Sequence, residues 1–148
     1  MIAVFFDLDN TIYDSRQYFL GAFEKIADYL AQKYKLPQQK IYNNSVNLWR
    51  KKTSYYPYLF NDLLKTLKIK DGQALAPVIK IFNQYKGELT AYSDVIFTLR
   101  KLKKQGYILG IITDGNIKRQ ARKIKALGIK SFFKLIVYSK LTAEKPSK

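Results

Sequence analysis

Cysteine and histidine are both absent from these 148 residues. That excludes disulfides, thiol nucleophiles, zinc sites built on Cys or His, and every triad that uses imidazole as its base. Any metal must be hard and held by oxygen, and proton transfer falls to carboxylates, lysine or tyrosine. Acids are scarce as well: 11 Asp and Glu stand against 27 Lys and Arg, a formal charge of +16. No apolar run reaches the roughly 20 residues of a membrane span, and Asp7 and Asp9 interrupt the first run too early for a signal peptide. The expectation is therefore no membrane partner and a cytoplasmic location. The basic excess suits polyanions in general. Its lysines, however, are spread over every predicted helix without a basic-aromatic cluster, so a nucleic-acid partner is disfavoured and solvation is the simpler account.

What is present is a foldable chain. Hydrophobic residues make up 47% and aromatic residues 15%, enough for one domain with room for an insertion. The organising stretch is the first, Ile2 to Thr11. Its apolar run from Ile2 to Phe6 is too short for a helix and predicts a strand buried on both faces of a parallel sheet. The run ends in Asp7, Leu8, Asp9, Asn10 and Thr11, at the strand end where α/β sheets bind ligands. On an extended backbone Asp7 and Asp9 share a side and Leu8 points away. Two adjacent carboxylates repel, which suits a cation site or a nucleophile beside an acid better than a structural role; the plain alternative is an Asp/Asn turn.

From Asp14 to Glu88 the period is helical. Phe19, Ala22, Phe23, Ile26, Ala27, Leu30 and Tyr34 form one stripe. A second helix over about 38–52 carries Ile41, Ser45, Leu48 and Trp49 inward. Pro57 and Pro77 open two more, carrying Phe60, Leu63, Leu64 and Leu67, then Val78, Ile81, Phe82 and Tyr85. After that the period changes. A helix capped by Ser93 or Asp94 and ended by Gly106 precedes a strand, Tyr107 to Thr113. A basic helix runs from the Asn116 cap to Leu127, and a third strand spans Phe133 to Tyr138. Strand, helix, strand, helix, strand is parallel α/β architecture. The fold class expected is α/β, a Rossmann-like parallel sheet core of residues 1–13 and 91–148, with an all-helical cap of residues 14–90 inserted in it.

Three strand ends then carry polar groups in order: DLDNT from Asp7, IITDG through Thr113 and Asp114, and EKPS with Lys145. Together they resemble the haloacid dehalogenase-like hydrolase superfamily, in its helical-cap phosphatase branch, across the whole chain. The resemblance implies that Asp7 attacks phosphorus and becomes an aspartyl phosphate. It implies that Asp9 protonates the leaving oxygen and then activates water. Thr113 and the Asp114 amide would bind the phosphoryl group, and Lys145 would compensate its charge. Magnesium would be held by Asp7 and by the Asp9 carbonyl. The Asp114 side chain is left unassigned. A second acid at Asp9 favours phosphate transfer over carbon–halogen cleavage, because dehalogenases of this superfamily generally lack it.

By the same resemblance a fourth acidic motif should follow the third, and the chain stops at Lys148 without it. The expectation is a truncated chain that binds magnesium weakly and is inactive or impaired by itself. Its first strand would form an exposed edge, open to self-association or to a complementing chain. The predicted partner is a small phosphorylated metabolite. The alternative is a non-catalytic or split protein that binds a phosphorylated ligand or a partner chain. Tyr18, Trp49, Arg50 and Tyr55 are candidates for substrate contact from the cap, although their helical spacing suits core positions equally.

Overall fold

The computed structural model describes residues 2–52 and 56–139. It divides into two compact units, Arg16–Gly87 and Met1–Ser15 with Glu88–Lys148. Tyr55 and Lys145 lie outside the described residues.

The first unit is helical: α1 (Arg16–Tyr34), α2 (Gln38–Lys52), α3 (Leu59–Thr66) and α4 (Leu75–Gln84). The three-and-four spacing of α1 buries Tyr18, Phe19, Ala22, Phe23, Ile26, Ala27 and Leu30. Aromatic contacts dominate this core. Phe19 stacks on Trp49 with centroids 4.9 Å apart, and the Tyr18 hydroxyl donates to the Phe82 carbonyl. Tyr18 and Trp49 are thus occupied as packing groups, while Arg50 is exposed. Tyr34, predicted on the inward stripe, instead sends its hydroxyl to Asp71 at 2.6 Å. One turn of polar residues ends the stripe there. Pro77 falls within the first turn of α4, where its missing N–H leaves no helix bond unmade.

The second unit is a three-stranded parallel sheet: β1 (Ala3–Phe6), β2 (Ile108–Asp114) and β3 (Leu135–Ser139), in the order β1-β2-β3. Helices α5 (Val95–Lys104) and α6 (Ile117–Ala126) make the two crossovers. Both crossovers step the same way across the sheet, and right-handed connections then place both helices on one face. Burial follows that rule. Leu109, Ile111 and Thr113 on the helix side of β2 are at most 1% exposed, whereas Ile112 between them is 44% exposed. On the same outer face Phe5 and Leu135 flank Gly110 in register, and Val137 is paired with Ile112. Gly110 is required there, since a Cβ would lie 2.4 Å from the Phe5 ring.

This corrects the two-faced burial expected of β1, whose residues alternate between exposed and half-buried. Helices on one face alone cover one set of side chains. Strand β1 also pairs with β2 alone among the described residues, and so forms an edge.

Candidate active site

At the carboxyl end of β1 the backbone turns at once. Asn10 adopts a left-handed φ of 62°, and its side-chain oxygen accepts from the Ser15 amide at 3.1 Å. The Asn10 amide donates to the Tyr13 carbonyl at 2.9 Å, and Ile12 donates to the Leu8 carbonyl at 3.1 Å. Tyr92 then donates to the Ile12 carbonyl, tying the loop to the start of the α5 crossover. Leu8 is fully buried, as its alternation with the two acids demands.

The turn gives the two aspartates different surroundings. Asp7 is exposed at the strand end, with the Leu8 amide as hydrogen-bond donor. Partial desolvation, with Asp9 and Asp114 nearby, pushes its pKa above the ordinary carboxylate value. Asp9 is partly buried and receives three donors. The Tyr13 hydroxyl donates to Oδ1 at 2.6 Å and the Gln120 amide to Oδ2 at 2.9 Å. The Lys123 ammonium donates to both oxygens, at 2.7 and 2.9 Å. Burial alone would raise the pKa of Asp9; the Lys123 charge and the three hydrogen bonds outweigh it and hold the group below its ordinary value. Lys123 is 2% exposed, and its pKa is lowered by that burial despite its pairing with Asp9.

Thr113, at the end of β2, is 1% exposed and accepts from the Gln120 amide at 2.8 Å. The same amide reaches the Asp114 carbonyl at 2.8 Å. Helix α6 is placed for this by its cap, since the Asn116 side chain accepts from the Arg119 amide at 3.0 Å. The structure therefore brings Asp7, Asp9, Thr113 and Asp114 to one sheet edge and adds Tyr13, Gln120 and Lys123, which sequence reasoning missed. A signal for the last two was present. Gln120, Lys123, Ile124 and Leu127 recur at helical spacing on the buried side of an otherwise basic helix, and a lysine on an apolar stripe needs an anion.

The family profile of haloacid dehalogenase-like hydrolases matches residues 4–148. The chain belongs to the haloacid dehalogenase-like hydrolases. The chain is 32% identical over 139 residues to a glyceraldehyde 3-phosphate phosphatase of Pyrococcus furiosus, a match covering 92% of this chain and 58% of that protein. Among solved structures it resembles a HAD phosphatase from Thermococcus onnurineus, with a TM-score of 0.60, 24% identity, and coverage of 93% of this chain and 62% of that one. It likewise resembles the HAD hydrolase YfnB from Bacillus subtilis, solved bound to magnesium, with a TM-score of 0.58, 21% identity, and coverage of 93% and 63%. The parallel α/β fold is thereby shared. The chain spans about three fifths of the length of the curated relatives it matches.

The oxygen donors at the site suit a hard dication. A cation beside Asp7 would offset the desolvation that chiefly raises its pKa, together with the smaller effect of Asp9 and Asp114. Yet no group of three acidic residues close enough to hold a metal occurs among the described residues, and the Asp9 carboxylate is engaged by Lys123. Of the residues that the family resemblance implies as ligands, Asp7 offers an exposed carboxylate, and the Asp9 main-chain carbonyl would be the second.

Proposed function

We propose that this hydrolase is a phosphatase of small phosphate monoesters that works through a covalent intermediate on Asp7. The contrast between its two aspartates carries the reading: Asp7 stands exposed at the strand end, while Asp9 is gripped by Tyr13, Gln120 and Lys123. An exposed carboxylate can approach phosphorus; a gripped one can serve protons from a fixed place.

In the first half-reaction an Asp7 oxygen bonds to phosphorus, the ester P–O bond breaks, and the departing oxygen takes a proton from Asp9, leaving an alcohol, ionised Asp9 and an aspartyl phosphate. In the second, Asp9 takes a proton from water. The water oxygen bonds to phosphorus, and Asp7 is released with inorganic phosphate. Donors that hold Asp9 ionised keep it in the form that can accept this proton, while lowering its basicity. The acid role in the first half requires Asp9 to gain a proton against those donors. Thr113 and the Asp114 amide would steady the phosphoryl oxygens, with Lys145 as a further cation. Magnesium, held by Asp7 and the Asp9 carbonyl, would supply Lewis-acid stabilisation of phosphoryl charge.

The test is hydrolysis of p-nitrophenyl phosphate and of glyceraldehyde 3-phosphate, the ester in the relatives' name, with magnesium present. Turnover by the wild-type chain that disappears in Asp7→Asn is the expected outcome. Turnover retained in Asp7→Asn overturns the assignment.

A further inference from the structure

Two α6 side chains one turn apart, Gln120 and Lys123, reach the ends of β1 and β2 at once. Both are buried, at 1% and 2% exposure. The Gln120 amide nitrogen has three oxygens within reach: Asp9 Oδ2 at 2.9 Å, Thr113 Oγ1 at 2.8 Å and the Asp114 carbonyl at 2.8 Å. Its two N–H groups serve these three oxygens, one of them shared, and an amide nitrogen does not accept, so Thr113 Oγ1 serves as an acceptor toward Gln120. A hydroxyl that accepts on one side keeps its single proton to donate elsewhere. Gln120 thereby fixes the direction in which Thr113 can donate. Lys123, whose ammonium lies 2.7 and 2.9 Å from the two Asp9 oxygens, fixes the plane of that carboxylate. Its Nζ also lies 5.8 Å from the centre of the Tyr13 ring, so the lysine is enclosed from the β1 side as well.

Resting on the phosphatase reading above, we propose that Gln120 and Lys123 are positioning residues. Lys123 orients Asp9 for proton transfer, and Gln120 turns the Thr113 hydroxyl outward as a donor to the phosphoryl group. A structural reading of the same contacts, as a staple between α6 and the sheet, predicts loss of stability and nothing else. The positioning reading predicts two separate signatures. Lys123 acts on the proton step through Asp9, whereas Gln120 acts on anion binding through Thr113.

The experiment compares Lys123→Met, Lys123→Arg and Gln120→Glu in the full chain. Gln120→Glu keeps the shape and removes the N–H donors. Melting temperature serves as the fold check, p-nitrophenyl phosphate kinetics with magnesium as one readout, and calorimetry with inorganic phosphate as the other. Lys123→Met should lower kcat by about tenfold or more, the scale of one lost charge-assisted hydrogen bond, with phosphate affinity held within about twofold. Lys123→Arg should recover most of kcat, and in an Asp9→Asn background Lys123→Met should cost nothing further. Gln120→Glu should weaken phosphate binding by about fivefold or more, again the scale of a hydrogen bond. Folded variants with unchanged kcat and unchanged phosphate affinity overturn the proposal. If Lys123→Met does not fold, Gln120→Glu decides through phosphate affinity. A wild-type chain that binds phosphate without turning over ester contradicts the phosphatase reading alone, and unaltered phosphate affinity in Gln120→Glu then overturns the positioning role.

Discussion

At the scale of single residues, the two aspartates should respond oppositely to pH. Asp7 has a folded-state pKa above its ordinary 3.8, so the folded chain binds its proton more tightly than the unfolded chain. Its stabilising contribution is present at acid pH and is lost as pH rises through the raised value. Asp7→Asn should therefore melt higher than wild type at pH 7, with the difference closing as pH falls below about 4. Asp9 is the reverse case, with its pKa lowered from 3.8. Its contribution is present above the unfolded value and lost as pH falls through the folded one. Asp9→Asn should thus flatten the acid limb of the stability curve, measured by urea unfolding between pH 3 and 7. A pH-independent gain for Asp7→Asn would show that desolvation and neighbouring charge are not what strain that site.

At the scale of elements, α6 is the part whose integrity the site depends on. It is short and carries five basic residues without an acid, so its own charges repel. Asn116 satisfies the Arg119 amide at its start, and Gly128, at a φ of 66°, turns the chain just beyond its end. Asn116→Ala should cost about 1 kcal/mol of stability, the usual value of a lost N-cap, as read from denaturant midpoints. Because Gln120 and Lys123 lie within the next two turns, fraying from that end should lower phosphate affinity more than the stability loss implies. An unchanged affinity would mean that tertiary contacts hold these two side chains without the cap.

On the scale of the whole molecule, charge and exposed apolar area set behaviour in solution. A net charge of +16 attracts anions and opposes dications. Calorimetry at low salt should accordingly show inorganic phosphate binding more readily than magnesium, with phosphate affinity falling as ionic strength rises. Tight magnesium binding would instead require a further acid at the site, for which Asp114 is placed. The outer sheet face exposes Phe5, Ile112, Leu135 and Val137, beside the open edge of β1. We propose that this face and edge associate with a second copy or a complementing chain. The double substitution Leu135→Lys with Val137→Lys should reduce self-association in sedimentation at nearly unchanged melting temperature. Association that persists in that variant would exclude this face as the contact.

Much of this was fixed locally. The change from a period of three and four to short apolar runs separates the helices of 16–87 from the parallel strands that follow, because side-chain periodicity is a property of the backbone alone. The first two motifs named Asp7, Asp9, Thr113 and Asp114 because strand ends are marked by where apolar runs stop; the third named Lys145, outside the described residues. What local pattern could not supply was anything that depends on a partner distant in the chain. Local pattern marks Lys123 only as a lysine on the buried stripe of a basic helix; that its anion is Asp9, 114 positions away in sequence, is decided by the fold. Gln120 becomes a link between two strand ends only once α6 packs on β2. The exposure of β1 has the same origin. Its composition calls for burial on both faces, but the hand of two successive crossovers places α5 and α6 on one side, and that is decided by tertiary structure.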